Sequence, residues 1–181
     1  MRYGRFALAL AVLVTALACT GGGDDTTTDD DEPLITTDEE LDFTLDPNFG
    51  AVELEPGFMP DPYTVDVRSG GQVDVDALDI GSDCRGYATS EPDFRLVLSE
   101  SSSMIRVFFV ADDLGEDATL IISDSGADWV CNDDSGGPDP MIEFEPAEDG
   151  AYDVWIGSFS DDEFIDGTLY ITELDLDPSD F

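Results

Sequence analysis

The sequence contains no histidine and no lysine, and its 6 basic residues, all arginine, face 44 aspartates and glutamates. Each absence removes a chemistry. Without histidine there is no Ser-His-Asp triad, no Cys-His dyad and no imidazole metal ligand. Without lysine there is no Schiff base and no Walker-type phosphate loop. With 3 cysteines, thiol-rich zinc or copper sites are out of reach. The apolar run from Phe6 to Leu17 is 12 residues long, too short to cross a bilayer as a helix. No extended amphipathic helical pattern is present. What remains in quantity is carboxylate and carbonyl oxygen, the ligand chemistry of hard cations such as calcium.

The first residues, "MRYGRFALALAVLVTALAC", have the anatomy of a signal peptide: Arg2 and Arg5, the short apolar run, then Ala16-Leu17-Ala18 as a small-residue cleavage pattern. The expected processing removes 1–18 and leaves Cys19 at the mature N-terminus. "TALAC" resembles a bacterial lipobox, although Ala16 stands where leucine is commonest. The resemblance implies lipidation of Cys19 and anchoring in the bacterial cell envelope. With Thr20 rather than an aspartate next, the sorting pattern points to the outer membrane. The alternative is ordinary secretion with a free Cys19. Removal of Arg2 and Arg5 would leave 4 basic against 44 acidic side chains, net −40. Such a field repels nucleic acid and anionic headgroups and destabilises the compact state unless cations screen it.

Residues 19–41, "CTGGGDDTTTDDDEPLITTDEEL", read as an acidic Gly/Thr/Asp-rich tether, extended by its like charges. From 42 to 176 short runs of alternating apolar residues are broken by turn residues, and 177–181 reads as a tail. The runs are 51–55, 63–68, 72–80, 94–99, 104–111, 118–123, 128–131, 141–145, 151–157 and 167–174. Val65 and Val67, Val73 and Val75, and Ile142 and Phe144 keep period two. Clusters such as "RSGGQ", "SDSGAD" and "AEDGAY" separate the runs. The expectation is one all-β domain, a jelly-roll-like antiparallel sandwich of about 8–10 strands. Its expected core is Leu96, Leu98, Val107, Phe109, Leu120, Ile122, Trp129, Ile142, Phe144, Val154, Ile156, Leu169 and Ile171. Trp129, Tyr152 and Trp155 could instead form an aromatic sugar platform.

The elements "PDFRLVLS", "IRVFFVADDLGEDATLIISDSGADWVCNDD", "EDGAYDVWIGSF" and "DGTLYITEL" follow one another in an order that resembles the bacterial pre-peptidase C-terminal domain. The resemblance covers Pro92 to Glu173. It implies a β-sandwich with a non-catalytic accessory role; some relatives bind calcium. It does not transfer protease activity.

Two site expectations come from the residues. With Cys19 assigned to lipid, Cys84 and Cys131 are two thiols in an exported chain, and a disulfide between them is expected; two buried free cysteines are the alternative. The loop "WVCNDDSGGPDP" places Asn132, Asp133, Asp134 and Asp139 around glycines that can turn carbonyls inward. That makes it a candidate calcium loop, with Asp161 and Asp162 as partners from a neighbouring turn. The spacing is not that of an EF-hand, and a solvated acidic turn is the plain alternative. The functional expectation is a surface or periplasmic binding or structural module with no catalytic residues, whose ligand is a protein or polysaccharide. The alternatives are a carboxylate-based, glycosidase-like hydrolase, an accessory module of a secreted hydrolase, or a structural protein with no specific ligand.

Overall fold

The computed structural model describes residues 40–135 and 137–181. The stretch read as a signal peptide, Cys19, and the stretch read as a tether up to residue 39 lie outside them. The described residues form an all-β sandwich of two sheets. One contains β1 (Ala51–Leu54), β3 (Val73–Asp74), β4 (Tyr87–Ala88), β5 (Phe94–Leu98), β7 (Ala118–Ser123), β8 (Trp129–Asn132) and β10 (Gly150–Ser158). The other runs β2 (Tyr63–Arg68), β11 (Asp166–Thr172), β6 (Ile105–Ala111), β9 (Met141–Phe144). All pairings are antiparallel except β1 against β5, where Ala51 lies beside Arg95 in parallel register.

The alternating runs became strands because each puts one apolar row into the space between the sheets. Leu96 and Leu98 of β5, Val107 and Phe109 of β6, Leu120 and Ile122 of β7, Val154 and Ile156 of β10 and Leu169 and Ile171 of β11 all lie in that core. Ile142 of β9 joins them and Phe144 is half-buried at its margin, whereas Trp129, expected in this core, is half-buried on the opposite face of the larger sheet. The run at 72–80 is not one strand: it pairs only at Val73–Asp74, then tightens into a 3₁₀ turn over Val75–Leu78.

That turn serves a second core. Ile121 and Trp155 project from the opposite face of the larger sheet and are fully buried there under Leu41, Val73, Val75, Cys84 and Ala88. All six residues of β7 are therefore buried. Leu41, at the end of the stretch read as tether, is part of this cover. On the outer face of the other sheet, Phe108 is fully buried. Tyr170 stacks on it at 4.9 Å, and Phe181, from the stretch read as a tail, packs on Tyr170 at 4.3 Å. Residues 178–180 form a 3₁₀ turn capped by Asp177, whose Oδ1 accepts the Ser179 N–H at 2.8 Å.

Tyr152 and Trp155 do not form a sugar platform. Trp155 is fully enclosed with Trp129 tilted against it at 5.4 Å, and Tyr152 is buried on the opposite, inter-sheet side.

Candidate functional site

Cys84 and Cys131 are joined by a disulfide across 47 residues of sequence. It ties the segment after the Val75–Leu78 turn to β8 and lies within the second core. Beside it, Arg85 faces Asp133 at 3.5 Å.

The acidic loop is held mainly by its own side chains. The Met141 N–H donates to Asn132 Oδ1 at 2.9 Å, and Asn132 Nδ2 donates to the Asp134 carbonyl at 3.2 Å. Asp139 Oδ1 accepts the Ala111 N–H at 3.1 Å, pinning the loop to the end of β6. Its neighbour is the C-terminal turn: Ser135, Gly137 and Asp139 line one small hollow with Pro178 and Ser179. Asp161 and Asp162 lie in the β10–β11 turn, where Asp162 takes a left-handed φ of 58°. Asp161 bears on Tyr87, whose phenol is raised first by Asp74, then by burial and Asp161. Asp117, raised first by burial and then by Asp134, Asp133 and Glu163, marks where acidic segments crowd. Among the described residues, no group of three or more Asp, Glu, Cys or His is arranged to hold a metal ion.

The cleft with the most developed geometry lies elsewhere, at a break in the larger sheet. On one edge of β10, β5 pairs as far as Val154 opposite Phe94, and β4 resumes at Ser158 opposite Tyr87. Between them the chain bulges out over residues 89–93, leaving the Ile156 backbone without a strand partner on that edge. Both of its groups are satisfied by other means. The Ile156 N–H donates to Asp93 Oδ2 at 2.8 Å, and the Gly70 N–H donates to the Ile156 carbonyl at 3.0 Å. A bulge next to a sheet break re-aims side chains, which is why such breaks are common at binding sites.

Four segments meet at this break around an open cleft of about 280 Å³, lined by Asn48, Phe49, Arg68, Gly70, Thr89, Asp93 and Phe164. Asn48 and Phe49 are set by N–H bonds to the Pro92 and Asp93 carbonyls, each at 2.8 Å. The Ser69-Gly70-Gly71 stretch threads between the β10–β11 turn and β4. Ser69 is buried, donating its N–H to the Ile165 carbonyl at 2.8 Å and accepting the Ile165 N–H on Oγ at 3.2 Å. Gly70 has φ +91°, and a Cβ there would run into the Glu163 carbonyl, so the site requires glycine. Phe49 and Phe164 are 39% and 50% exposed, the two walls of the opening.

Asp93 is 1% exposed at the inner end. Burial pushes its carboxyl up to about 7, against the hydrogen bonds from Ile156, Asn48 and Thr89 that pull it down. Of the four arginines in the described residues, three face a carboxylate at 3.5 Å or closer. Arg95 pairs with Asp153 and donates to the Phe43 carbonyl, Arg106 holds Glu143, Asp175 and the Leu176 carbonyl, and Arg85 faces Asp133. Arg68 is the exception. Its closest carboxylate is Asp166 at 3.9 Å, both side chains are more than half exposed, and its guanidinium lies over the Phe164 ring at 5.4 Å. A second hollow of about 420 Å³ shares Phe49 and Arg68 and adds Asp66, Asp112 and Asp166.

Sequence reasoning placed the candidate site in the acidic loop and missed this cleft. Its traces were the paired glycines of "RSGGQ" and the aspartate before an apolar run in "EPDFRLVL", both legible only as turn residues.

No family model and no curated protein matches the chain. Among solved structures, it is similar to the pre-peptidase C-terminal domain of a collagenase from Bacillus anthracis, with a TM-score of 0.40 and 11% identity over 67% of this chain and 92% of that one.

Proposed function

We propose that this chain is a non-catalytic, envelope-anchored binding module: a lipid anchor at Cys19, an acidic tether, and one sandwich that presents the cleft at the β4–β5 break. The observation that carries the binding role is the cleft itself. Two partly exposed phenylalanines, a loosely held arginine and a buried carboxyl converge from four chain segments, a combination of apolar walls and few polar groups suited to a small ligand. The anchor rests on the signal-like N-terminus and "ALAC". The accessory character rests on the strand order that resembles pre-peptidase C-terminal domains, and calcium dependence on the oxygen-rich loop at 132–139.

A hydrolase is the second reading, favoured by one observation. A carboxyl lifted to about 7 in a cleft has the protonation state of a general acid. Its partner would be one of Asp66, Asp112 or Asp166 in the adjoining hollow. Both Asp93 oxygens, however, accept protein donors, from Ile156 and from Asn48, which suits a structural carboxyl better than a proton donor to substrate.

The anchor is tested by Cys19→Ser, which should release the protein from membranes and remove the lipid mass; a wild-type mature N-terminus with an unmodified thiol refutes it. A polysaccharide-hydrolysis panel separates module from enzyme. The module reading expects no turnover, and turnover abolished by Asp93→Asn would replace it with the hydrolase.

A further inference from the structure

The cleft has a polarity, and it follows from where Arg68 sits. In a chain of formal net charge −38, three of the four described arginines face a carboxylate at 3.5 Å or closer. The fourth lies on an aromatic face at the mouth of an apolar cavity. We propose that the cleft between Phe49 and Phe164 binds a small organic cation, an ammonium on an apolar or aromatic body, and that the Arg68 guanidinium occupies the cation's place in the free protein. This rests on the reading of the cleft as the module's ligand site.

Three observations lead to a cation rather than an anion. First, the surroundings are acidic: the adjoining hollow contributes Asp66, Asp112 and Asp166 against Arg68 alone. Carboxylates bordering the cleft, with the field of a strongly acidic chain behind them, concentrate cations there. Second, the ring face already accepts a cation. A guanidinium within about 6 Å of a ring centroid is in cation–π range, and Arg68 lies at 5.4 Å from Phe164. Third, Arg68 is displaceable. Its side chain is 61% exposed and 3.9 Å from Asp166, so it can turn toward the hollow's carboxylates when another cation takes its place. The cavity, about 280 Å³, is at the lower end of the roughly 300–1,000 Å³ of small-molecule pockets, which sets the ligand at one ring or a short branched chain.

The test uses three probes of like shape and different charge: 2-phenylethylammonium, 2-phenylethanol and 3-phenylpropionate. Each is titrated into the full exported chain by calorimetry, with the contact surface mapped by NMR. The ammonium should bind about tenfold more tightly than the alcohol, a ratio within the cation–π range, and the carboxylate most weakly. Phe49→Ala and Phe164→Ala, both at partly exposed positions that the fold tolerates, should each weaken the ammonium. Arg68→Gln is the sign-determining variant. It removes the built-in competitor and should strengthen ammonium binding several-fold, whereas an anion site would lose its ligand. Carboxylate binding best and disappearing in Arg68→Gln overturns the cation assignment while leaving a binding module. Equal binding of all three probes overturns it too, the cleft then reading apolar bulk alone. If no probe binds at these residues, both the assignment and the cleft as the module's site fall.

Discussion

The carboxylate of Asp93 takes the Ile156 N–H at 2.8 Å, filling with a side chain the place where a neighbouring strand's carbonyl would otherwise stand. The bond joins the bulge between β4 and β5 to the centre of β10 and forms the floor of the cleft. Its cost is the burial of an ionisable group, and that cost depends on pH.

The folded carboxyl titrates near 7 and the unfolded one near 3.8. Between those values the folded state keeps a proton that the unfolded chain has released, so this group's contribution falls as pH rises from about 4 to 7 and is level above. Asp93→Asn keeps an acceptor for Ile156 without the charge. Its stability relative to wild type should therefore improve across that window, by an amount on the order of 4 kcal/mol at most. Urea melts of both proteins at matched pH cancel the background repulsion of the other acids. A pH-independent offset between them would mean that Asp93 does not titrate in this range.

The Cys84–Cys131 bond closes a loop of 47 residues. On the chain-entropy model it contributes about 4 kcal/mol, and its loss also loosens the cover over Trp155 and Ile121. Cys84→Ser with Cys131→Ser should lower the melting temperature by roughly 10 °C. Native protein that alkylates two thiols per chain without reductant would show that the bond is not made.

Gly70 and Gly115 both have φ near +90°, but a Cβ at Gly115 meets nothing within 4 Å while one at Gly70 meets the Glu163 carbonyl. Gly115→Ala should cost about 1 kcal/mol, the backbone penalty alone. Gly70→Ala should cost at least about 2 kcal/mol more and disturb the cleft. Denaturant midpoints decide; equal penalties at the two sites would refute the close packing of 69–71 against the β10–β11 turn.

Calcium dependence is tested at the 132–139 loop with screening held constant. In a high sodium background, millimolar calcium should raise the melting temperature more than magnesium. At a hundredfold excess over Kd the gain is about 2.7 kcal/mol. Asp134→Asn should abolish the difference while leaving the Arg85–Asp133 pair intact. Equal effects of the two ions would reduce the loop to an acidic turn.

The strands were legible because alternation is local: Val65 and Val67, or Leu96 and Leu98, announce a half-buried surface from a few neighbouring residues. The disulfide was legible because two thiols remained after Cys19 was assigned. Burial on the second face was not. Ile121 and Trp155 sit in register positions that alternation assigns to the outside, and they are covered only because Leu41 and the segment from Val73 to Ala88 fold over them. Phe108 is enclosed by the same logic, under Tyr170 and Phe181.

The sequence by itself determined the class of the fold, most of the inter-sheet core and the exclusion of histidine- and lysine-based chemistry, since period-two patterning and composition act through neighbours and totals. Only the tertiary structure decided where a ligand could sit. Asn48 and Phe49, Arg68 and Gly70, Thr89 and Asp93, and Phe164 are scattered over more than half the chain. What brings them together is the interruption of β4–β5 along β10, where the unpaired Ile156 backbone draws in one carboxylate and one glycine from distant segments. Buried backbone groups must find partners, and which distant residues supply them is settled only when the sheets assemble.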